Sequence, residues 1–272
     1  MENLTDYGSL HKLFDDNFLD YTSYVIKERA IPDVTDGLKP VQRRIMQTLF
    51  NMDDGRFSKV ANVVGETMKL HPHGDQSIFG ALVNLANKGY LIDRQGNFGN
   101  IYTGDGPSAA RYIECRLTPL ARETLFNKDL TEFVDSYDGR NKEPVVLPSK
   151  LPLLLLQGAD GIAVGMATKI LPHNFCELLD AQKKILKGEP FQLFPDFPQG
   201  GRIDVSGYDD GNGRIRCRAR IEEKNDKTII IKEIPYTTTT QSLMDSIEKA
   251  SKTGKIKIIS INDYSAEEVE VE

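Results

Sequence analysis

Two helical patterns separated by the segment HPHGD, residues 71–75, constrain the fold of this chain more than any other feature. Pro72 and Gly74 are expected to end the first helix, and Asp75 is expected to cap the N-terminus of the second. Helix, glycine-containing turn, helix is the order of a helix-turn-helix, although such pairs also occur in proteins that never contact DNA. In the second pattern, the apolar residues at helical spacing predict a buried stripe of Ile78, Ala81, Leu82 and Leu85.

Two earlier segments, residues 9–31 and 41–50, are also helical in pattern, and PDVTDGLKP with its two prolines separates them. Their apolar residues at helical spacing are Leu10, Leu13, Phe14 and Phe18 in the first and Val41, Ile45 and Leu49 in the second.

Strand-like runs follow the helical patterns. The run YLID, residues 90–93, predicts a strand, and a loop with four glycines follows it, so a hairpin is expected beside the helices, in the position of a wing. After residue 150, RIDV, GRIRCRARIEE, KTIIIKEI and KIKIISI read as strands, with one helix at 241–252 closed by Gly254. We therefore predict an α+β fold, with a helix-turn-helix and a wing in the first part of the chain and a domain boundary near Pro148 and Pro152.

The net charge of −6, taken alone, argues against a nucleic-acid partner, but local basic clusters matter more. Lys39, Arg43 and Arg44 form one such cluster, which is a candidate DNA-binding surface. A second is the alternating stripe Arg214, Arg216, Arg218 and Arg220, which a strand places on one face. The alternative is a solvated face paired with acids such as Glu222 or Glu223.

The three cysteines are scattered and odd in number, which indicates free thiols in a reducing cytoplasm. Gln157 and Asp160 interrupt the longest apolar run, so no membrane span is expected, and the N-terminus lacks a signal-peptide pattern. The sequence contains no phosphate-binding GxxxxGK[ST] motif, no dinucleotide fingerprint and no GxSxG, so this chain itself is not expected to bind ATP or NAD.

His71 and His73 allow three interpretations. A His-x-His pair binds metal when further ligands are near, and none stands at suitable spacing here. A turn that directs two imidazoles at phosphate oxygens fits the surroundings better. The third interpretation is that both rings only cap and pack.

Tyr112 ends the glycine-rich loop in the stretch GPSAARYIECRL, directly after Arg111. Packing is the ordinary function of a tyrosine. The alternative is a nucleophile that attacks phosphorus, which requires a proton acceptor and cations, because a free phenol is only about one part in a thousand ionised at pH 7. In a regular strand neighbouring side chains point to opposite faces, so Arg111 and Tyr112 reach one phosphate only if the backbone turns there.

Five motifs occur in an order typical of one protein family: RAIPDVTDGLKPVQRRIM, HPHGD, QGNFG, AARYIE and GIAVGMATKILPHN. From about residue 5 to its end, the chain resembles the A subunit of bacterial type IIA DNA topoisomerases, meaning DNA gyrase or topoisomerase IV. The resemblance implies a helical arm at 1–24, a winged-helix domain at 25–150 and an incomplete α/β tower domain at 151–272. It also implies cleavage and religation of DNA through a 5′-phosphotyrosine, so that a second duplex can pass.

The resemblance assigns functions to single residues. Tyr112 matches the nucleophile, and Arg111 matches the arginine that stabilises the transition state. Lys39, His71 and His73 match DNA-contacting positions, and Arg29 matches an arginine near the scissile phosphate. Ile162 matches the isoleucine that wedges between base pairs and bends the duplex.

The resemblance places the cofactors in a second polypeptide. Mg²⁺ and ATP both belong to the B subunit, and no aspartate cluster that would hold Mg²⁺ is evident in this chain. The implied assembly is a dimer of A subunits with two B subunits on double-stranded DNA in the cytoplasm. The chain stops within the expected tower domain, as a fragment or a truncated relative would, so the exit gate is expected to be absent.

Three positions depart from the family pattern. Gln42 stands where a histidine is common, and Gln76 and Gly80 stand where a serine and an acidic residue usually hold fluoroquinolones through a water–metal bridge. We therefore expect weak trapping by these drugs. Gln42 and a shortened segment before LIDRQG favour topoisomerase IV over gyrase. The alternatives are the A subunit of a gyrase, or a DNA-binding winged-helix paralogue without catalysis. A tyrosine recombinase would need an Arg-His-Arg set, for which no pattern is seen.

Overall fold

The computed structural model describes residues 17–272, so the predicted helix positions Leu10, Leu13 and Phe14 lie outside the described residues. Residues 17–25 are helical and lead into a π-helical turn, Ile26–Ala30. Phe18 is exposed and so belongs to no buried stripe. Three longer helices follow, which are α1 (Pro40–Asn51), α2 (Val60–Thr67) and α3 (Asp75–Asn87).

Helix α1 has the predicted position and the predicted buried face. Pro40 occupies its first position, where a missing N–H costs nothing. The Gln42 side chain accepts a hydrogen bond from the Lys39 backbone nitrogen at 3.0 Å, which closes the N-terminus. Ile45 and Leu49 are buried, and Val41 packs partly buried against the same core.

The helix pair α2–α3 forms, with two corrections at its turn. Helix α2 ends at Thr67 rather than at Pro72, because the Thr67 carbonyl accepts hydrogen bonds from the backbone nitrogens of Leu70 and His71 in a tight turn. Asp75 is the first residue of α3 and not its cap; Gly74, in an extended conformation, holds the cap position. The predicted α3 stripe is confirmed at three buried positions and one partly buried position, which are Ile78, Leu82 and Leu85 and then Ala81.

A three-stranded antiparallel sheet packs beside these helices. Its strands are β1 (Ser58–Lys59), β2 (Ile92–Gln95) and β3 (Glu114–Leu117), in the order β1-β3-β2. Strand β2 begins two residues later than predicted. The glycine-rich loop, residues 96–113, connects β2 to β3 and therefore lies at one end of this sheet.

The rest of the chain alternates two-stranded hairpins with helices, which confirms a mixed α+β fold. The further strands are β4 (Phe133–Asp135), β5 (Lys142–Pro144), β6 (Ala159–Ile162), β7 (Ala167–Ile170), β8 (Arg202–Gly207), β9 (Arg214–Arg218), β10 (Arg220–Asn225) and β11 (Thr228–Glu233). The further helices are α4 (Pro119–Leu125), α5 (Leu153–Gln157), α6 (Phe175–Lys187) and α7 (Thr240–Lys252).

The prediction of a single helix after residue 150 is wrong. Helix α6 is capped at its start by the Asn174 side chain and ends at Gly188 in a left-handed conformation. Both are ordinary helix signals, which were missed because strand-like runs dominate this part of the sequence. The run KIKIISI, residues 255–261, is not a strand. Ile259 in this run is 99% exposed, and strand formation needs a paired neighbour that the run does not have in residues 17–272.

The four-arginine stripe does not share one strand. Strand β9 ends at Arg218, and after Ala219 the chain enters β10, which pairs with a different neighbour. Arg214, Arg216 and Arg218 are exposed on β9. Arg220 instead contacts Glu222 at 3.1 Å and Glu233 at 3.3 Å, so the predicted pairing with acids is confirmed there.

Most buried apolar side chains belong to one core cluster, which extends from Leu38 through α1–α3 and the sheet to Leu147, Leu156 and Leu178. A smaller cluster contains Ile231, Ile234, Val269 and Val271. The large core therefore includes residues on both sides of the predicted domain boundary at Pro148 and Pro152, and the division into domains stays a prediction. No helix within residues 17–272 is long and apolar enough to span a bilayer.

Candidate nucleic-acid interface

Tyr112 and Arg111 are exposed together at the end of the glycine-rich loop. The Tyr112 side chain is 65% exposed, and the Arg111 guanidinium carbon lies 4.6 Å from the centre of its ring. The backbone turns here, since the Tyr112 nitrogen donates to the Ala109 carbonyl at 2.9 Å, and β3 begins only at Glu114. Because the backbone turns, Arg111 and Tyr112 need not point to opposite faces as they would in a regular strand, and the phenol lies beside the cation.

The glycine-rich loop is tightly folded. Gly99 has a φ of 85°, and a Cβ placed there would lie 2.6 Å from the Asp105 carbonyl oxygen. The Asn100 nitrogen donates to that same carbonyl, and the Gly104 nitrogen donates to the Asn100 carbonyl. At the other end Ile113 is buried in the core. The loop therefore holds Tyr112 from both sides while its hydroxyl stays open.

The two histidines of HPHGD form a second group with partners from distant parts of the chain. The His71 and His73 rings meet edge to face, with centroids 4.9 Å apart. The Tyr24 hydroxyl lies 2.6 Å from His73 Nε2, and Arg44 Nη1 lies 3.0 Å from His71 Nδ1. Because a guanidinium only donates, His71 Nδ1 accepts, so the neutral ring carries its proton on Nε2.

Arg44 is anchored by carboxylates rather than free. Its guanidinium makes two hydrogen bonds to Glu143, one of them at 2.9 Å, and lies 3.8 Å from Glu28. Within residues 17–272, Tyr112 and Arg111 make no hydrogen bond or ring contact with the histidine group.

Burial lowers the pKa of His71 to about 4, and the positive charge of Arg44 adds to this shift, followed by smaller contributions from His73 and Arg29. At pH 7 the ring is therefore neutral and serves as a hydrogen-bond donor through Nε2. The ring is buried and offers one N–H donor without adding a charge of its own.

The same shift predicts a pH-dependent stability. The unfolded chain protonates this imidazole near pH 6.5, whereas the folded protein does so only near pH 4, so acidification between these values favours unfolding. We expect about 2 kcal/mol of this effect between pH 7 and pH 5. Urea unfolding at both pH values should show that the free energy of unfolding falls less between pH 7 and pH 5 in His71→Asn than in the unchanged protein. Equal falls in the two proteins would contradict the lowered pKa of His71.

Arg43, which the sequence predicts to bind DNA, is paired with a carboxylate inside the fold, and its contact with DNA stays a prediction. It is buried, and its guanidinium donates to both Asp36 carboxylate oxygens, at 2.6 and 3.1 Å, and to the Leu38 carbonyl. Asp36 is itself fully buried. These three hydrogen bonds hold the Arg43 guanidinium against the interior, so Arg43 stabilises the fold.

Lys39 and Arg29 lie near the start of the β6–β7 hairpin. Lys39 Nζ donates to the Asp160 carbonyl at 2.7 Å. Burial lowers the pKa of Lys39, and the nearby Asp160 carboxylate opposes the shift. Arg29 is exposed on the π-helical turn. Sequence reasoning missed Lys88, whose Nζ donates to the Gly158 carbonyl at 2.8 Å beside this group.

Ile162 lies at the far end of β6 and is 87% exposed. The hairpin turn that follows is closed by the Ala163 nitrogen, which donates to the Met166 carbonyl at 2.8 Å. Gly161 packs so closely that a Cβ placed there would overlap the Ala30 carbonyl oxygen. The hairpin is thereby fixed against the π-helical turn, and an apolar side chain projects from its end.

Gln76 and Gly80 are both exposed and lie one turn apart on the same face of α3. Nothing lies within 4 Å of a Cβ placed at Gly80. Within residues 17–272 no group of three or more His, Cys, Asp or Glu side chains is arranged to hold a metal ion.

Comparison with known proteins identifies the family. Residues 29–272 match the family model that describes the A subunit of DNA gyrase/topoisomerase IV. The chain is 59% identical over 263 residues to the A subunit of a DNA topoisomerase 4 from Borreliella burgdorferi, an alignment that covers 97% of this chain and 42% of that protein. It is 45% identical to the A subunit of a DNA gyrase from Deinococcus deserti, over 90% of this chain and 33% of that protein. The chain thus spans less than half the length of these relatives, and it belongs to the family of DNA gyrase/topoisomerase IV A subunits.

Proposed function

We propose that this chain is the DNA-cleaving and religating part of a type IIA topoisomerase A subunit. The observation that carries the proposal is the exposed Tyr112 with Arg111 over its ring, held on a rigid turn. The Tyr112 oxygen attacks a backbone phosphorus and loses its proton to a base. The bond from phosphorus to the 3′ oxygen breaks and that oxygen takes up a proton, which leaves a 5′-phosphotyrosine and a free 3′ hydroxyl. Attack by that hydroxyl reverses the reaction and releases the tyrosine.

The remaining site residues bind and position the DNA in this proposal. Arg111 neutralises charge that builds on the non-bridging phosphate oxygens. His71, neutral at pH 7, and His73 donate hydrogen bonds to the backbone, and Lys39 and Arg29 supply positive charge. Ile162 inserts between base pairs and bends the duplex, which trades a few kcal/mol of unstacking for a larger wrapped surface.

The partners in this proposal are double-stranded DNA, two B subunits and a second copy of the A subunit. The B subunit supplies Mg²⁺, which stabilises the phosphate charge during transfer, and it supplies ATP hydrolysis. Tyr112 and the histidine group do not touch within the described chain, which supports a site completed by another chain. We further propose that α1–α3 with the β1-β3-β2 sheet form the winged-helix domain, and that residues 151–272 belong to the tower.

We propose topoisomerase IV rather than gyrase as the parent enzyme. The 59% identity to a topoisomerase 4 relative, compared with 45% to a gyrase relative, supports this choice. Relaxation and decatenation without ATP-driven supercoiling, measured for the complete A subunit with its B subunit, is the expected result. Supercoiling of relaxed plasmid would identify a gyrase.

A DNA-binding paralogue without catalysis is the alternative. The experiment that separates the two incubates this chain with its B subunit, Mg²⁺ and supercoiled plasmid, and then adds denaturant. Protein covalently attached to 5′ DNA ends is the expected result. Retarded DNA without any attached protein would identify the paralogue, and attachment to 3′ ends would identify recombinase-type chemistry.

Fluoroquinolone trapping is expected to be weak, because the exposed face of α3 offers neither a hydroxyl nor a carboxylate at Gln76 and Gly80. The double variant Gln76→Ser, Gly80→Glu places both groups one turn apart, and the open space at Gly80 accepts the new side chain. We expect drug-stimulated cleavage at about ten-fold lower concentration, since water-mediated and charge-assisted hydrogen bonds contribute about 1–3 kcal/mol. Gln76→Ala, Gly80→Ala is the matched control. Strong trapping by the unchanged protein would contradict the prediction.

A further inference from the structure

A polar cavity of about 370 Å³ lies between the π-helical turn, the start of α1, the end of α3 and the start of β6. Three cationic side chains line it, namely those of Arg29, Lys39 and Lys88, together with the carboxylate of Asp160. Three positive charges and one negative charge leave a surplus of two. A concave site with such a surplus attracts anions.

Both lysines keep donors for a ligand. Each ammonium has three N–H groups and uses one within the described chain, Lys88 on the Gly158 carbonyl and Lys39 on the Asp160 carbonyl. Burial lowers the pKa of Lys88 to about 8, the charge of Lys39 adds to this, and Asp160 opposes it. Two cations are thus held close together and partly removed from water, an arrangement that an anion between them would stabilise.

Gln157 supplies an independent observation. Its side chain is only 6% exposed and lines the same cavity. The amide nitrogen Nε2 has no hydrogen-bond partner among residues 17–272. A buried donor without an acceptor is unfavourable and rare in folded proteins. Gln157 lines a cavity that three cations also line, so a ligand that offers oxygen acceptors and negative charge fits this lining.

We propose that Lys88 and Gln157, together with Lys39 and Arg29, bind one backbone phosphate of duplex DNA at the base of the β6–β7 hairpin. The inference rests on the proposed function, because it takes DNA as the substrate. Asp160 precedes Ile162 by two residues, a rise of ~7 Å along the strand, so the cavity lies at the base of the hairpin that carries Ile162 at its far end. The phosphate held here flanks the step that Ile162 opens. Lys88 and Gln157 are positioning residues that hold the backbone beside the bend.

The first test compares the salt dependence of duplex binding. It uses the chain with its B subunit in the Tyr112→Phe background and without Mg²⁺, so that no cleavage is needed. Loss of one phosphate contact lowers the slope of log affinity against log salt by about one. We expect this change for Lys88→Met and none for Lys187→Met, which removes an exposed lysine at the end of α6. Equal slopes in all three proteins would overturn the proposal.

The second test uses Gln157→Met, which has a similar length and lacks the unsatisfied donor. If the amide only packs, the variant melts at a higher temperature and binds DNA unchanged. If the amide holds a phosphate, the variant melts at the same or a higher temperature but binds DNA about ten-fold more weakly. Unchanged affinity in a stably folded Gln157→Met protein overturns the assignment.

A third measurement separates DNA from free phosphate as the source of the anion. Inorganic phosphate is added to the unchanged protein and to Lys88→Met, and thermal unfolding is followed. Stabilisation of the unchanged protein alone, with no difference in the DNA salt slopes, would mean that the cavity holds free phosphate and would overturn the DNA assignment. A reduced salt slope for Lys88→Met, together with normal 5′ adduct from the protein that keeps Tyr112, supports both the phosphate site and the proposed DNA cleavage. Normal salt slopes together with normal adduct reject the phosphate site and leave the proposed DNA cleavage in place.

Discussion

Replacing Tyr112 by phenylalanine is expected to abolish covalent attachment of the protein to DNA and to leave duplex binding within about two-fold of normal. The change removes one oxygen. The ring that faces Arg111 remains, and the side chain is 65% exposed, so little packing is lost. Without the oxygen no phosphotyrosine can form, so the denatured reaction should contain no adduct above the background of a reaction without protein.

The matched control is Tyr137→Phe, because this tyrosine is 57% exposed and lies away from the glycine-rich loop. It should form adduct at the normal level. Adduct on 5′ ends is measured by denaturing gel after nuclease digestion, with duplex affinity measured in parallel. Normal adduct from Tyr112→Phe would remove the central assumption about this chain, whereas loss in both variants would indicate a general effect of tyrosine removal.

Local sequence patterns predicted the parts of this fold that depend on near neighbours. The buried stripes of α1 and α3 follow from 3.6-residue periodicity, and most hairpin strands after residue 200 follow from alternation. The position of Tyr112, next to Arg111 at the end of a glycine-rich loop, also followed from adjacent residues in the sequence. Helix α6 was missed because strand-like runs surround its capped segment.

Long-range contacts decided what the sequence did not reveal. Arg43 and Arg44 are adjacent and look equivalent, yet one is buried against Asp36 and the other is bound by Glu143, 99 positions away. In the sequence Gln157 only interrupts an apolar run, and the fold brings it to the same cavity as Lys88. Nothing in the spacing of these residues indicates their partners, since only packing of the whole core brings them together.

Asp36→Asn is expected to produce the largest loss of stability among single conservative changes at this site. The Asp36 carboxylate is fully buried and accepts four hydrogen bonds, two from Arg43 and one each from the backbone nitrogens of Leu38 and Leu147. Each oxygen accepts two of them. An amide NH₂ in place of either oxygen would face two donors, and the buried guanidinium would lose its counter-charge.

Breaking a buried ion pair in this way typically costs about 3–5 kcal/mol, which lowers the melting temperature of a chain this size by about 10 °C or more. Urea unfolding monitored by circular dichroism measures the loss. Asp33→Asn is the control, because among residues 17–272 the Asp33 carboxylate accepts a single local hydrogen bond, from the Thr35 nitrogen. Adding Arg43→Met to Asp36→Asn removes the unpaired charge and should recover part of the stability. A loss below about 1 kcal/mol for Asp36→Asn alone would mean that water or a shifted backbone replaces the carboxylate, and Arg43 would then be free to turn toward DNA.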